Sequence, residues 1–158
     1  MSQPATIHGS VVLVGERGIL IRGRSGTGKS ALALALLAAD PLGARLVADD
    51  RVIVAAENGR LIADVPGKLA GLIEMRGVGI VKVPHVAPVV IRLVVDLAAV
   101  DCAPRMPEQD EAVAVVEGVT LPRMVLPVGL SGGAARVIAA APVMTRGEAD
   151  CLLRCGIE

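Results

Sequence analysis

Eight consecutive residues, Gly23-Arg24-Ser25-Gly26-Thr27-Gly28-Lys29-Ser30, carry the densest chemistry in this 158-residue chain. They fit the pattern G-x-x-x-x-G-K-[ST] in full, and they sit between a strand-like segment and a helix-like one, the context that pattern requires. Glycines admit positive φ and let backbone N–H groups curl around phosphate oxygens. The start of the following helix adds partial positive charge. Lys29 is then placed to carry a point charge to the outer phosphates, and Ser30 to offer its hydroxyl to Mg²⁺. The motif implies binding of nucleotide phosphates. It leaves open whether the nucleotide is hydrolysed, used for transfer or only sensed.

A phosphate loop that transfers phosphate needs a carboxylate near the metal, at a strand end. Leu46-Val47-Ala48-Asp49-Asp50 and Leu93-Val94-Val95-Asp96 both qualify. Neighbours on an extended segment point to opposite sides. One of Asp49 and Asp50 can therefore face the phosphates while the other is held structurally. A carboxylate beside a bound hydroxyl can accept its proton. In Glu74-Met75-Arg76-Gly77-Val78-Gly79 an acid and a base lie two apart, on one face if extended. They read either as a metal-bound acid beside a phosphate-neutralising arginine or as a surface ion pair. His8 and His85 are isolated, and chemistry alone makes them structural or exposed. Three cysteines and two histidines, all scattered, do not suit a structural zinc site.

These residues need elements to hold them. Residues 10–14 and 19–22 read as an antiparallel hairpin around a turn at 15–18. Residues 29–39 read as a helix, apolar almost all round and so expected to be buried on most faces. Pro41 stops it. Residues 45–50 read as a buried strand ending in the two acids. Asn58-Gly59 is a hairpin turn between strands at 52–56 and 61–65. A loop with a short helical turn is expected at 66–75, and strands at 80–83 and 89–97. Residues 100–110 read as an exposed loop. Further elements are expected at 113–119, 123–128 and 134–140, a final helix at 148–155, and a short arm at 1–6. The pattern is α/β, and the length suggests one domain over residues 1–158.

Composition narrows the function. The chain has no Phe, Tyr or Trp, which removes the rings on which single-strand nucleic-acid binders stack bases. Lys+Arg and Asp+Glu are both 16, giving zero formal net charge, unlike the basic balance of nucleic-acid proteins. Hydrophobic residues make up 53%. The longest apolar run, residues 31–39, is nine residues, far short of the roughly 18 a membrane span needs. With no basic-then-apolar leader and an odd cysteine count, a soluble, reduced, cytoplasmic protein is expected.

Several of these blocks together resemble the catalytic domain of HPr kinase/phosphorylase, which phosphorylates a serine of the phosphocarrier protein HPr. They are Ile7-His8-Gly9, the loop from Gly23 to Ser30, Arg45-Leu46-Val47-Ala48-Asp49-Asp50, Ile73-Glu74-Met75-Arg76-Gly77-Val78-Gly79-Ile80 and Ile91-Arg92-Leu93-Val94-Val95. The Glu-x-Arg-Gly-x-Gly-Ile block is the most specific of them. The resemblance covers residues 5 to 97 well and the rest loosely. It implies a P-loop kinase domain whose fold is like phosphoenolpyruvate carboxykinase, with a mixed sheet and an antiparallel hairpin before the loop. It implies ATP and Mg²⁺ as cofactors and an HPr-like phosphocarrier of the phosphotransferase system as partner, with neither nucleic acid nor membrane involved. It assigns Lys29 to the transferred phosphate, Ser30 and Glu74 to Mg²⁺, and Asp50 to the serine proton. It places His8 and Arg76 in the active site and aligns Arg105 with a catalytic arginine. The chain looks like the short proteobacterial form without the family's N-terminal domain. The family's hexamer implies a homo-oligomer, although the final helix is short here.

The departures also matter. The family usually has an acid at Arg24, and commonly one at Ala31. Its phosphorylase loop is rich in arginine and proline, whereas this chain reads Val128-Gly129-Leu130-Ser131-Gly132-Gly133. The reverse, phosphate-driven reaction then lacks the cationic groups it would need. A nucleotide-sensing module without transfer and a small-metabolite kinase are the competing functions. Without aromatic rings to stack adenine, binding should rest mainly on phosphate and metal, with weak discrimination among nucleoside triphosphates.

Overall fold

The apolar runs at residues 10–14, 18–22, 44–48 and 91–95 lie in the middle of a sheet covered on both faces, which is why they are nearly continuous rather than alternating. A computed structural model describes residues 3–40 and 43–145. Its strands are β1 (Ala5–His8), β2 (Ser10–Val14), β3 (Arg17–Arg22), β4 (Ala44–Ala48), β5 (Arg51–Glu57), β6 (Arg60–Asp64), β7 (Leu72–Met75), β8 (Gly79–Lys82), β9 (Val89–Ala98), β10 (Val113–Val116) and β11 (Val119–Pro127). Its helices are α1 (Lys29–Ala39) and α2 (Gly133–Met144). The expected final helix at 148–155 lies outside the described residues.

Strand β9 organises the mixed sheet. The sheet runs β1-β5-β6-β9-β3-β2-β4, with β11 and then β10 added beside β9. One edge of β9 pairs parallel with β3. The other is shared, antiparallel with β6 at Val89–Ile91 and parallel with β11 from Val94 to Ala98. Successive residues therefore feed two separate cores. Val11, Leu20, Val47 and Val94 join β5, β6 and β10 inside the curl of the sheet. Val12, Ile19, Ile21, Leu46, Leu93 and Val95 pack under α1 and α2. Aliphatic side chains alone fill both layers. Among the described residues no helix is long and apolar enough to cross a membrane.

Four expectations need correction. The segment expected as loop and helical turn up to residue 75 ends in strand β7, which pairs antiparallel with β8. The N-terminal arm is in part a strand: β1 pairs antiparallel with β5, placing His8 opposite Arg51. Its residues alternate between half-buried and exposed, as an edge strand over one core does. Helix α1 spans the expected residues but buries one face only, through Leu32, Ala33 and Leu36, and leaves Ala31 and Ala35 exposed. Leu32 and Leu36, four residues apart, share the buried face, while Leu34 is half-buried and lines a cleft. Strand β4 stops at Ala48, so Asp49 and Asp50 form a bend rather than an extended end. Asp50 sits at φ 69, in the left-handed region, which aspartate tolerates better than most residues.

Candidate functional site

The glycine-rich loop leaves the end of β3 and enters α1. Gly26 (φ 82) and Gly28 (φ 95) both take backbone that favours glycine. The Thr27 N–H and hydroxyl both donate to the Arg24 carbonyl, at 3.1 and 2.7 Å, closing the turn. Lys29 is 6% exposed. Its Nζ donates to the carbonyls of Gly23 (2.9 Å) and Arg24 (3.0 Å). A buried ammonium is costly unless hydrogen-bonded, and these two carbonyls hold it inside the loop.

Asp49 is buried beneath this loop. Its Oδ1 accepts the hydroxyls of Ser30 and Ser10, both at 2.8 Å. The bend is fixed by the Arg51 N–H donating to the Asp49 carbonyl (2.8 Å) and the Gly9 N–H donating to the Asp50 carbonyl (3.1 Å). The bend turns the Asp50 side chain outward, where Oδ1 lies 3.1 Å from His8 Nε2. Both side chains are more than half exposed, so this contact adds little stability. The two acids thus diverge as expected, through a left-handed bend instead of strand alternation.

The hairpin of β7 and β8 supplies the facing wall. Ile73 anchors it in the helix-covered core, and Gly77 (φ 84) turns its tip. Glu74 and Arg76 stand exposed on it. A cleft of about 630 Å³ gathers His8, Lys29, Ser30, Asp50, Glu74 and Arg76, with Ser25, Gly26 and Gly28 on its rim. Gly23 and Arg24 do not line it but hold Lys29 through their carbonyls, and Thr27 faces a second cleft. Arg105 is exposed and does not line the main cleft. Ser30, Asp49 and Glu74 are oxygen donors, the set a hard cation such as Mg²⁺ takes. The Ser30–Asp49 hydrogen bond already places two of them side by side.

Asp96, the other strand-end acid, is occupied differently. It accepts from Arg22 Nε and Nη2, both at 2.8 Å, and from Arg123 Nε at 2.5 Å. Burial alone pushes the Asp96 carboxyl up, but the hydrogen bonds from Arg22 and Arg123, with their charges, outweigh it and hold it below the usual range. The same hydrogen bond raises the Arg22 guanidinium against its burial. Arg22 directly precedes Gly23, so the cluster pins the start of the loop to β9 and β11. A depressed carboxylate contributes stability that is complete above its unfolded pKa and lost as pH falls through its folded one. Asp96→Asn is therefore expected to destabilise by about 2 kcal/mol at pH 7, with the deficit shrinking below about pH 4. Denaturant unfolding of both proteins at pH 7 and pH 3 checks this; a deficit equal at both pH values contradicts it.

Sequence reasoning did not find Ser10, Arg22 or Arg123, and it left Asp49 undecided. Only the Arg22–Asp96 pair carries a partial signal, since opposite charges stand in register near the ends of neighbouring strands.

The chain belongs to the HPr kinase family: a family model described as the HPr serine kinase C-terminal domain matches residues 1–152. It is 35% identical over 153 residues to HPr kinase/phosphorylase of Enterococcus faecalis, covering 90% of this chain and 48% of that protein. It is 47% identical over 78 residues to the Clostridium tetani protein of the same name, covering 49% of this chain and 25% of that one. The chain thus spans between a quarter and about half of these relatives. A solved structure of the Hpr(Ser) kinase/phosphatase from Coxiella burnetii superposes with TM-score 0.67 at 27% identity, over 79% of this chain and 87% of that one.

Proposed function

We propose that residues 1–158 act as one P-loop kinase domain, with a fold of the phosphoenolpyruvate carboxykinase kind. It transfers the terminal phosphoryl group of ATP to a serine of an HPr-like phosphocarrier. The observation that carries this reading is the convergence of Lys29, Ser30, Asp50 and Glu74 on one cleft in a chain of this family. In this reading the serine hydroxyl gives its proton to Asp50 as its oxygen bonds to phosphorus. The bond from phosphorus to the bridging oxygen breaks, and ADP leaves. His8, 3.1 Å from Asp50, orients the carboxylate. Lys29 turns its ammonium from the loop carbonyls to the phosphoryl oxygens, and Arg76 neutralises charge from the facing hairpin. Ser30 and Glu74, with Asp49 behind Ser30, would hold Mg²⁺. Such an ion neutralises the phosphates in reactions of this class. The proposal covers the forward transfer; residues 128–133 offer no cation for phosphate-driven reversal.

Incubation with ATP, Mg²⁺ and the HPr of the same organism is expected to give phosphoserine on HPr. No phosphoserine at saturating ATP overturns the kinase reading.

A further inference from the structure

Gly26 and Gly28 line two clefts at once. The first is the polar cleft of Lys29 and Asp50. The second lies on the other side of the loop, between α1, the ends of β9 and β11, and the turn into α2. Its volume is about 380 Å³, within the roughly 300–1,000 Å³ of small-molecule sites. Leu97, Leu126, Val128 and Leu130 form its apolar wall, opposite Ala31 and Ala35 of α1. Of the described residues lining it, only Thr27 has a polar side chain, and that hydroxyl already donates to the Arg24 carbonyl. Among the described residues no charged group lines this cleft.

Such a wall accepts a flat, uncharged group through its faces and offers its edges nothing but backbone. Ala31 and Ala35 are four residues apart and so share one side of α1. They keep that side low; a larger side chain at either position would occupy the space. A ligand with phosphates at the glycine-rich loop and a flat heterocycle at its other end fits both clefts through the shared glycines.

We propose that the second cleft holds the base of the nucleotide, an inference that rests on the phosphate-binding reading of the loop. The base is sandwiched between aliphatic side chains, and no side-chain hydrogen bonds read its edge. ATP then binds more tightly than its phosphate portion alone, while ATP and GTP bind alike. The turn at residues 128–133, where the family has a cationic loop, here serves the base.

Calorimetric titration with Mg²⁺–ATP, Mg²⁺–GTP and Mg²⁺–tripolyphosphate tests this. Wild type is expected to bind ATP at least about tenfold more tightly than tripolyphosphate, and GTP within about fivefold of ATP. Ala35→Leu, at an exposed helix position where leucine is well tolerated, is expected to weaken ATP about tenfold and tripolyphosphate by less than about twofold. Ala38→Leu, exposed on the same helix and lining neither cleft, should leave both unchanged. Wild type binding ATP no better than tripolyphosphate overturns the base site and spares the phosphate loop. An Ala35→Leu protein whose ATP affinity is unchanged, or falls together with that of tripolyphosphate, also overturns the base site. Wild type that binds neither probe overturns the phosphate loop as well.

Discussion

Lys29→Met is expected to reduce phosphoryl transfer by about 10³-fold while leaving the protein folded. Removing one preorganised group aimed at developing charge typically costs 10²–10³ in rate. Lys29 belongs at the upper end because it carries a full charge and is 6% exposed, where water screens it little. Stability should change by no more than about 1 kcal/mol, because two effects oppose each other. The substitution deletes the hydrogen bonds to the Gly23 and Arg24 carbonyls, but it also removes a desolvated ammonium, and methionine keeps the apolar stem. Lys29→Arg should not rescue, since a planar guanidinium cannot occupy the space of a compact ammonium between two loop carbonyls. Phosphoserine formation on HPr, read beside denaturant unfolding, separates the effects. A loss below tenfold removes Lys29 from the catalytic role.

How far the sequence reaches depends on the distance between partners. Helix α1 is legible to the residue, because the Gly-Lys-Ser start and the Asp40-Pro41 stop are local signals. So are the Asn58-Gly59 turn joining β5 to β6 and the apolar run of β9. The site is legible where one motif holds its own residues, as with Lys29 and Ser30. It fails where the partner comes from elsewhere. Ser10 and Asp49 are 39 residues apart, Arg22 and Asp96 74 apart, and Arg123 and Asp96 27 apart. No periodicity brings those pairs together; only the strand order does. Asp96 shows the consequence. Its place near the end of an apolar strand makes it one of two acids that could serve a metal, yet β3 and β11 each bring an arginine to it. The exposed alanines of α1 follow the same rule: helical hydrophobicity cannot say which apolar face meets the sheet and which is left beside a cleft. The missing aromatic rings prove more informative about binding than about the fold. Aliphatic side chains suffice for both cores, and the surface beside the loop is aliphatic too.

Asp50→Asn is expected to lower the turnover rate by about 10²-fold while leaving nucleotide affinity within about twofold. General-base catalysis contributes 10²–10⁴. The lower end applies because a loose phosphoryl-transfer transition state demands little prior deprotonation of the nucleophile. Asparagine is a clean probe at this position. It adopts the left-handed backbone that Asp50 holds at φ 69 as readily as aspartate does, so the bend survives. The Asp50 carbonyl, which accepts from the Gly9 N–H, is unchanged. The lost charge faces an exposed His8, and an exposed pair is worth at most about 1 kcal/mol. Asp49→Asn makes the contrast. Its buried Oδ1 accepts two hydroxyls, which an amide oxygen can still do, so the change falls mainly on metal affinity rather than on proton transfer. Titrating Mg²⁺ against transfer rate should therefore shift the midpoint for Asp49→Asn and only the plateau for Asp50→Asn. If Asp50→Asn keeps full turnover, the base lies elsewhere. If both variants shift the midpoint alike, the two carboxylates serve one metal site, and the division of labour imposed by the bend does not hold.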